Sequence, residues 1–259
     1  MKKLIIASLI GVGLYASTNV ELMYSALKFN YKEYSGSGVM DEEKSKFNDL
    51  KGINLLISQD INKFKLTFNV EYNKGSTKYT DFTWDGTPLQ LTENNAYLYN
   101  ARFIGGYLLG MDETRLGYGK VYLDGGLGYR FWNRGKSNYA GAYDEKYKWK
   151  YWLIGININE NFNKFNFDLN FYYHKAIQPK MNADLYGGTD FKLGTTKGYR
   201  IEIPIRYNLA KNYGIMFKYI YDYWKINQSE TVTKDGVSMY EPDSKTKNQY
   251  MDIGLFYKF

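Results

Sequence analysis

The residues that could do chemistry in this chain are carboxylates, guanidiniums and one imidazole. Cysteine is absent from the 259 residues, which removes thiol nucleophiles, disulfides and thiolate metal sites together. His174 is the single histidine, so a structural zinc site is not expected; no cofactor and no metal is expected from any motif. Asp81 and Asp85 stand close together in Tyr79-Thr80-Asp81-Phe82-Thr83-Trp84-Asp85-Gly86. Two carboxylates and a histidine can activate a water for hydrolysis if a further carboxylate orients the imidazole. The position two before His174 holds Tyr172, which leaves Asp184, in the polar stretch that follows, as the candidate orienting group. Against that chemistry, Asp85-Gly86 also reads as a turn, and a lone histidine at a strand end reads as structural. Gly125-Gly126-Leu127-Gly128 lacks the Lys-Ser/Thr of a phosphate cradle and is read as close packing or curvature in a strand.

The elements that must position these groups are strands. From Gln249 to Phe259, Met251, Ile253, Leu255, Tyr257 and Phe259 alternate with Tyr250, Asp252, Gly254, Phe256 and Lys258, the period of a strand with one apolar and one wet face. The same period predicts nine earlier strands. The first is centred on Leu27, Phe29 and Tyr31, taken as its apolar face, with Lys28, Asn30 and Lys32 opposite. The others carry Ile53 to Ile57, Phe64 to Tyr72, Tyr97 to Tyr107, Val121 to Phe131, Trp152 to Ile158, Phe165 to Tyr173, Ile201 to Leu209 and Ile215 to Tyr223. Pro204 cannot donate to a ladder and marks a local irregularity. Short turns near 59–63, 110–116, 159–164 and 210–212 alternate with long polar loops near 35–49, 73–95, 133–146, 175–198 and 227–247. Ten antiparallel strands with short turns at one end and long loops at the other make an all-β, up-and-down transmembrane β-barrel.

Composition agrees. Aromatic residues are 19% of the chain, with 28 Tyr, side chains that gain most at a membrane–water interface. Mean hydropathy is −0.52 and no run beyond the first residues is long enough for a spanning helix. Met1-Lys2-Lys3 followed by the apolar Leu4–Leu14 reads as a secretory signal peptide. The domain reading is therefore a leader over 1–17 and a barrel over 18–259. A formal charge of +7 comes with no nucleic-acid motif, and no nucleic acid is expected as a partner.

The strand ending Tyr257-Lys258-Phe259 resembles the closing strand of bacterial outer-membrane β-barrels. That resemblance implies an assembly signal in Ile253, Leu255, Tyr257 and Phe259, engagement by the barrel-assembly machinery, and a place in the outer membrane of a Gram-negative cell. The ten-strand count is similar to that of the omptin outer-membrane proteases, and this implies catalytic candidates Asp81, Asp85 and His174. Tyr172 stands where that family carries the Asp that partners its His. The reading is a non-enzymatic barrel with a surface-interaction or small-porin-like role, the alternative being an omptin-like aspartyl/His endopeptidase. Any extracellular ligand is left unnamed.

Parity then divides the charges. Lys28, Lys65, Glu71, Arg102, Lys120, Asp124, Arg130, Asp168, His174, Arg200, Glu202, Arg206, Lys218, Asp222, Asp252 and Lys258 are expected inside, in a salt-bridged and largely closed lumen. Lys51, Lys74, Lys148, Lys150, Lys175, Lys197, Lys225 and Lys247 are expected on the lipid-facing side near the loop-side rim, with Glu33 and Glu93 as the main outward acids. Lysines there can snorkel to headgroup phosphates, which makes outer-membrane lipid and lipopolysaccharide the expected partners.

Overall fold

Each wall strand hydrogen-bonds to the next, and the last returns to the first. The computed structural model describes residues 17–36, 38–82, 87–114 and 117–259; the expected leader (apart from Ser17) and Asp85 lie outside the described residues. In chain order the strands are β1 (Ser17–Lys28), β2 (Asn30–Ser35), β3 (Gly38–Lys44), β4 (Leu50–Ile61), β5 (Phe64–Phe82), β6 (Pro88–Thr114), β7 (Gly117–Asn133), β8 (Glu145–Phe162), β9 (Phe165–Ala183), β10 (Thr189–Lys192), β11 (Thr196–Asn208), β12 (Tyr213–Ile226), β13 (Val232–Lys234), β14 (Val237–Met239) and β15 (Asp243–Lys258). The closed ring runs β1, β4, β5, β6, β7, β8, β9, β11, β12, β15 and back to β1, every pair antiparallel. Closure leaves no unpaired edge in the wall, the condition for strands to cross a membrane.

Two wall lines are broken. β1 and β2 follow one register along β15, with Asn19 opposite Lys258 and Tyr34 opposite Asp243. On their other side the wall passes from β4 to β3, which pairs both β2 and β5. At Pro204 the β11–β9 ladder skips Ile203 and Pro204 while the β12 side stays paired, the loss expected of a residue with no N–H.

The apolar residues face outward. Leu127 is 62% and Ile253 63% exposed, and Phe103, Ile154, Phe171, Ile215 and Leu255 are exposed with them. Among the described residues no helix is long and apolar enough to cross a membrane; this outward apolar surface belongs to strands. Toward the turn end the band finishes at Phe64, Tyr107, Phe165, Tyr213 and Tyr257, and above it Tyr72, Tyr129 and Trp152 face outward. An apolar belt edged by aromatic girdles is what a barrel wall needs in lipid.

Three expectations are corrected. First, the faces of the first expected strand, which spans β1 and β2, are reversed: Leu27, Phe29 and Tyr31 point inward and are buried, whereas Lys28 is exposed, as are Leu22 and Tyr24. Alternation alone cannot distinguish lipid contact from an apolar lumen plug, since both are water-free. The same reversal takes Glu33 inside, where it is 8% exposed, and Glu93 is half-buried rather than outward. Second, much of the expected loop sequence is strand. β5 and β6 extend through most of 73–95, β3 occupies part of 35–49, β9 runs on to Ala183, and β10, β13 and β14 fill parts of the last two loops. Those extensions pair above the membrane, where alternation need not follow lipid. Third, the turn expected at 110–116 starts later, because β6 continues to Thr114.

Candidate functional site

The lumen is filled by layers of side chains from strands far apart in sequence. Nearest the turn end, Arg206 on β11 binds Glu21 at 2.7 Å and Asp168 at 2.6 Å. The next layer joins β5, β6 and β11: Arg102 reaches Glu202 at 2.6 Å and Glu71 at 3.3 Å, while Arg200 binds Glu202 at 2.5 Å and also Glu71. Lys218 lies 4.0 Å from Glu202, and Asp252 accepts from Asn54 at 2.7 Å. Between these layers a chamber of about 40 Å³, with Lys65, Arg102, Asp124 and Lys218 in its lining, has room for a few waters. Higher, Arg130 pairs with Asp222 at 2.8 Å beneath Trp149 and Trp224. Glu71, Arg102, Asp124, Arg130, Asp168, Arg200, Glu202, Arg206, Lys218, Asp222 and Asp252 are all buried. Desolvated charges of this kind persist because each is paired or hydrogen-bonded within its layer.

Above the charges lies an aromatic plug. Trp132 stacks on Tyr147 at 4.5 Å and touches Phe29 and Tyr31, each at 4.9 Å. Gly128 makes room for this region, since a Cβ there would lie 2.2 Å from the Tyr151 ring.

His174 belongs to the same plug. Its ring stacks on Trp224 with centroids 3.7 Å apart, meets Tyr151 edge-on, and lies 3.1 Å from the Tyr223 carbonyl oxygen. Gly198 lets it in, as a Cβ there would meet the His174 Nε2 at 2.7 Å. His174 is 2% exposed, and because β9 continues to Ala183 it sits within the wall rather than at a strand end. Tyr172 donates its hydroxyl to Asp124 at 3.0 Å. Asp81 lies on β5, opposite Leu89, and accepts the Tyr79 hydroxyl at 2.8 Å. Among the described residues His174 forms no ion pair with a carboxylate; Asp85 lies outside them.

The loop end holds a cluster that sequence reading missed. Arg134, just after β7, binds Glu43 at 2.8 Å, Asp41 at 3.1 Å, Glu145 at 2.5 Å and Glu33 at 3.4 Å. Glu241, before β15, accepts hydroxyl protons from Tyr31 at 3.1 Å and from Tyr147. Tyr79 covers the guanidinium at 4.8 Å. Burial and neighbouring carboxylates push Glu43 up to about 7, Glu241 up to about 8 and Glu33 well above the carboxylate range. The positive charge among Glu33, Glu145 and Glu241, whose oxygens lie within 4.8 Å of one another, is Arg134. The usable sequence signals were Glu33, expected as an outward acid of the first strand, and the acidic run Asp41-Glu42-Glu43, which fell in a stretch read as loop.

The eight outward lysines, Lys51, Lys74, Lys148, Lys150, Lys175, Lys197, Lys225 and Lys247, are exposed at the loop-side edge of the apolar band. Several stand in direct register: Lys51 with Lys74, and Lys175 with Lys197, Lys197 with Lys225, Lys225 with Lys245, and Lys245 with Lys32. Ile253, Leu255, Tyr257 and Phe259 are exposed on the outer face of β15, and the Phe259 amide donates to Thr18.

No family model and no curated protein matches the chain. Among solved structures it is similar to the outer-membrane protease OmpT from Escherichia coli, with a TM-score of 0.65 and 14% identity over 94% of this chain and 97% of that one. The fold is that of an outer-membrane β-barrel. This barrel also matches the outer membrane protein AlkL at a TM-score of 0.42, with 10% identity over 94% of this chain and 90% of that one. The translocator domain of the autotransporter NalP from Neisseria meningitidis matches at 0.41, with 11% identity over 100% of this chain and 94% of that one.

Proposed function

We propose that the chain is an integral outer-membrane protein of a Gram-negative bacterium that acts at its surface, without catalysis. The observation that carries this reading is the stack of ion-paired and aromatic layers across the lumen, which favours a surface role over a small-porin-like one. Partner specificity then rests on the extended β5–β6 hairpin and the other loop-end segments, as in scaffolds whose rigid wall displays binding loops. Purified protein in planar bilayers should give no steady conductance, and deletion of loop-end segments should abolish binding to target cells or matrix. Ohmic channels at neutral pH would overturn the reading.

The omptin-like reading draws on the likeness to OmpT, while the buried stack of His174 on Trp224 opposes it. Cleavage of a dibasic-peptide library that is lost in His174→Ala would establish that alternative.

The lysine row supports lipopolysaccharide as the lipid partner. Like charges directly opposite one another in a sheet cost roughly 0.2–1 kcal/mol per pair, and a row through β9, β11, β12 and β15 repeats that cost. Lipid phosphates seated between the ammoniums would offset it. Replacing Lys148, Lys150, Lys175 and Lys197 together by Gln should reduce lipopolysaccharide co-purification severalfold; unchanged retention would refute the assignment.

A further inference from the structure

At the loop end, one guanidinium faces five carboxylates from three separate segments. Glu33, Asp41 and Glu43 come from the β2–β3 hairpin, Arg134 and Glu145 from the stretch joining β7 and β8, and Glu241 from the segment before β15. All six are at most 8% exposed. The other groups facing them are neutral or acidic. β5 contributes Thr77, whose hydroxyl binds Glu43 at 2.6 Å, and Tyr79 over Arg134. Tyr31 and Tyr147 donate to Glu241. Glu93 on β6, together with Tyr143 and Asp144, adds further acidic or phenolic groups. Lys146 pairs with Asp144 at 4.0 Å; among the described residues no lysine and no histidine forms an ion pair with the five carboxylates themselves.

A buried site with five carboxylates and one cation cannot hold every carboxylate ionised, because each uncompensated buried charge costs several kcal/mol. Protons must make up the difference while the segments remain packed. We propose that the Arg134 cluster is a proton-operated clasp on the barrel mouth. With protons shared among its carboxylates it holds the three segments together, and with all of them ionised it releases them. Its acids bind protons more tightly when packed than when free, since burial raises Glu33, Glu43 and Glu241 above their ordinary values. The clasp is therefore at full strength below the ordinary carboxylate range and weakens as pH rises, with Glu43 and Glu241 giving up their protons through about 7 to 8. Each net proton released on opening makes opening roughly tenfold easier per pH unit in that window. Release would uncover Trp132 and Phe29, the top of the aromatic plug, while the wall below stays closed.

The test is amide hydrogen exchange on the full chain folded in detergent micelles, with EDTA throughout, from pH 5.5 to 8.5 and corrected for intrinsic exchange. The amides of Arg134 and Ser229, which donate to the carbonyls of Glu145 and Glu241, should lose protection roughly tenfold per pH unit between pH 7 and 8. Amides of β8 and β12 in the wall should not change. The isosteric pair Glu33→Gln and Glu241→Gln, singly and together, should hold the clasp closed to higher pH, with folding checked by heat-modifiable migration. Flat protection of Arg134 and Ser229 across this range in the parent overturns the proposal whatever the variants do. Loss at the parental pH in a folded double variant overturns it as well.

Discussion

Replacing Glu202 by Gln tests how dry the lumen is. Glu202 is 3% exposed and accepts from the Arg102 Nη2 at 2.6 Å, the Arg200 Nε at 2.5 Å and the Asn170 amide at 3.3 Å. Lys218 stands 4.0 Å away, and among the described residues its Nζ has no hydrogen-bond partner. Glutamine keeps the shape and one acceptor but removes the charge shared by three cations. Breaking a buried pair from one side costs about 3–5 kcal/mol; because Glu71 also binds both arginines, the lower end, about 3 kcal/mol, applies. The assay is equilibrium urea unfolding in lipid vesicles followed by tryptophan fluorescence. Adding Lys218→Met should recover part of the loss, because it removes an ammonium that the first change leaves uncompensated. A cost for Glu202→Gln below about 1 kcal/mol, the value of a solvated surface pair, would refute the reasoning and place bulk water among the layers.

Other outcomes follow from single contacts. Gly128→Ala should cost about 1–3 kcal/mol, because its Cβ would strike the Tyr151 ring, whereas Gly125→Ala, with nothing within 4 Å, should be neutral in the same unfolding assay. Leu27→Asp, inside the plug at 0% exposure, should destabilise the barrel by at least about 3 kcal/mol; Lys28→Leu, on the outer face, should change it by under about 0.5 kcal/mol. Deleting Phe259, 73% exposed, should sharply lower the heat-modifiable barrel recovered from cells while leaving the unfolding midpoint of refolded protein little changed. Normal recovery from cells would remove the proposed assembly role of this residue.

The wall was legible because lipid imposes a period-2 pattern that nothing in a loop reproduces: Phe64 to Tyr72 and Ile201 to Tyr207 read directly as strands. The buried charges of β5, β6, β11 and β12 followed from the same parity. The first expected strand misled because Leu27, Phe29 and Tyr31 belong to the apolar cluster inside the lumen, where Phe29 and Tyr31 meet Trp132. The mouth cluster stayed hidden because Arg134 and its carboxylates come from segments that meet only after the ring has closed. His174 lost its expected place at a strand end because β9 runs nine residues beyond it, to Ala183.

The sequence distances spanned by the interior pairs bear on how the barrel comes to exist. Arg200 and Glu71 are 129 positions apart, and Arg206 and Glu21 are 185. A hairpin entering the membrane alone would carry one member of each pair into hydrocarbon without its counter-charge. Intermediates with an open seam are therefore penalised in proportion to the charges they strand, and the barrel should appear by concerted closure rather than hairpin by hairpin. Contacts so remote in sequence also make closure slow, which gives the chain a reason to depend on catalysed insertion.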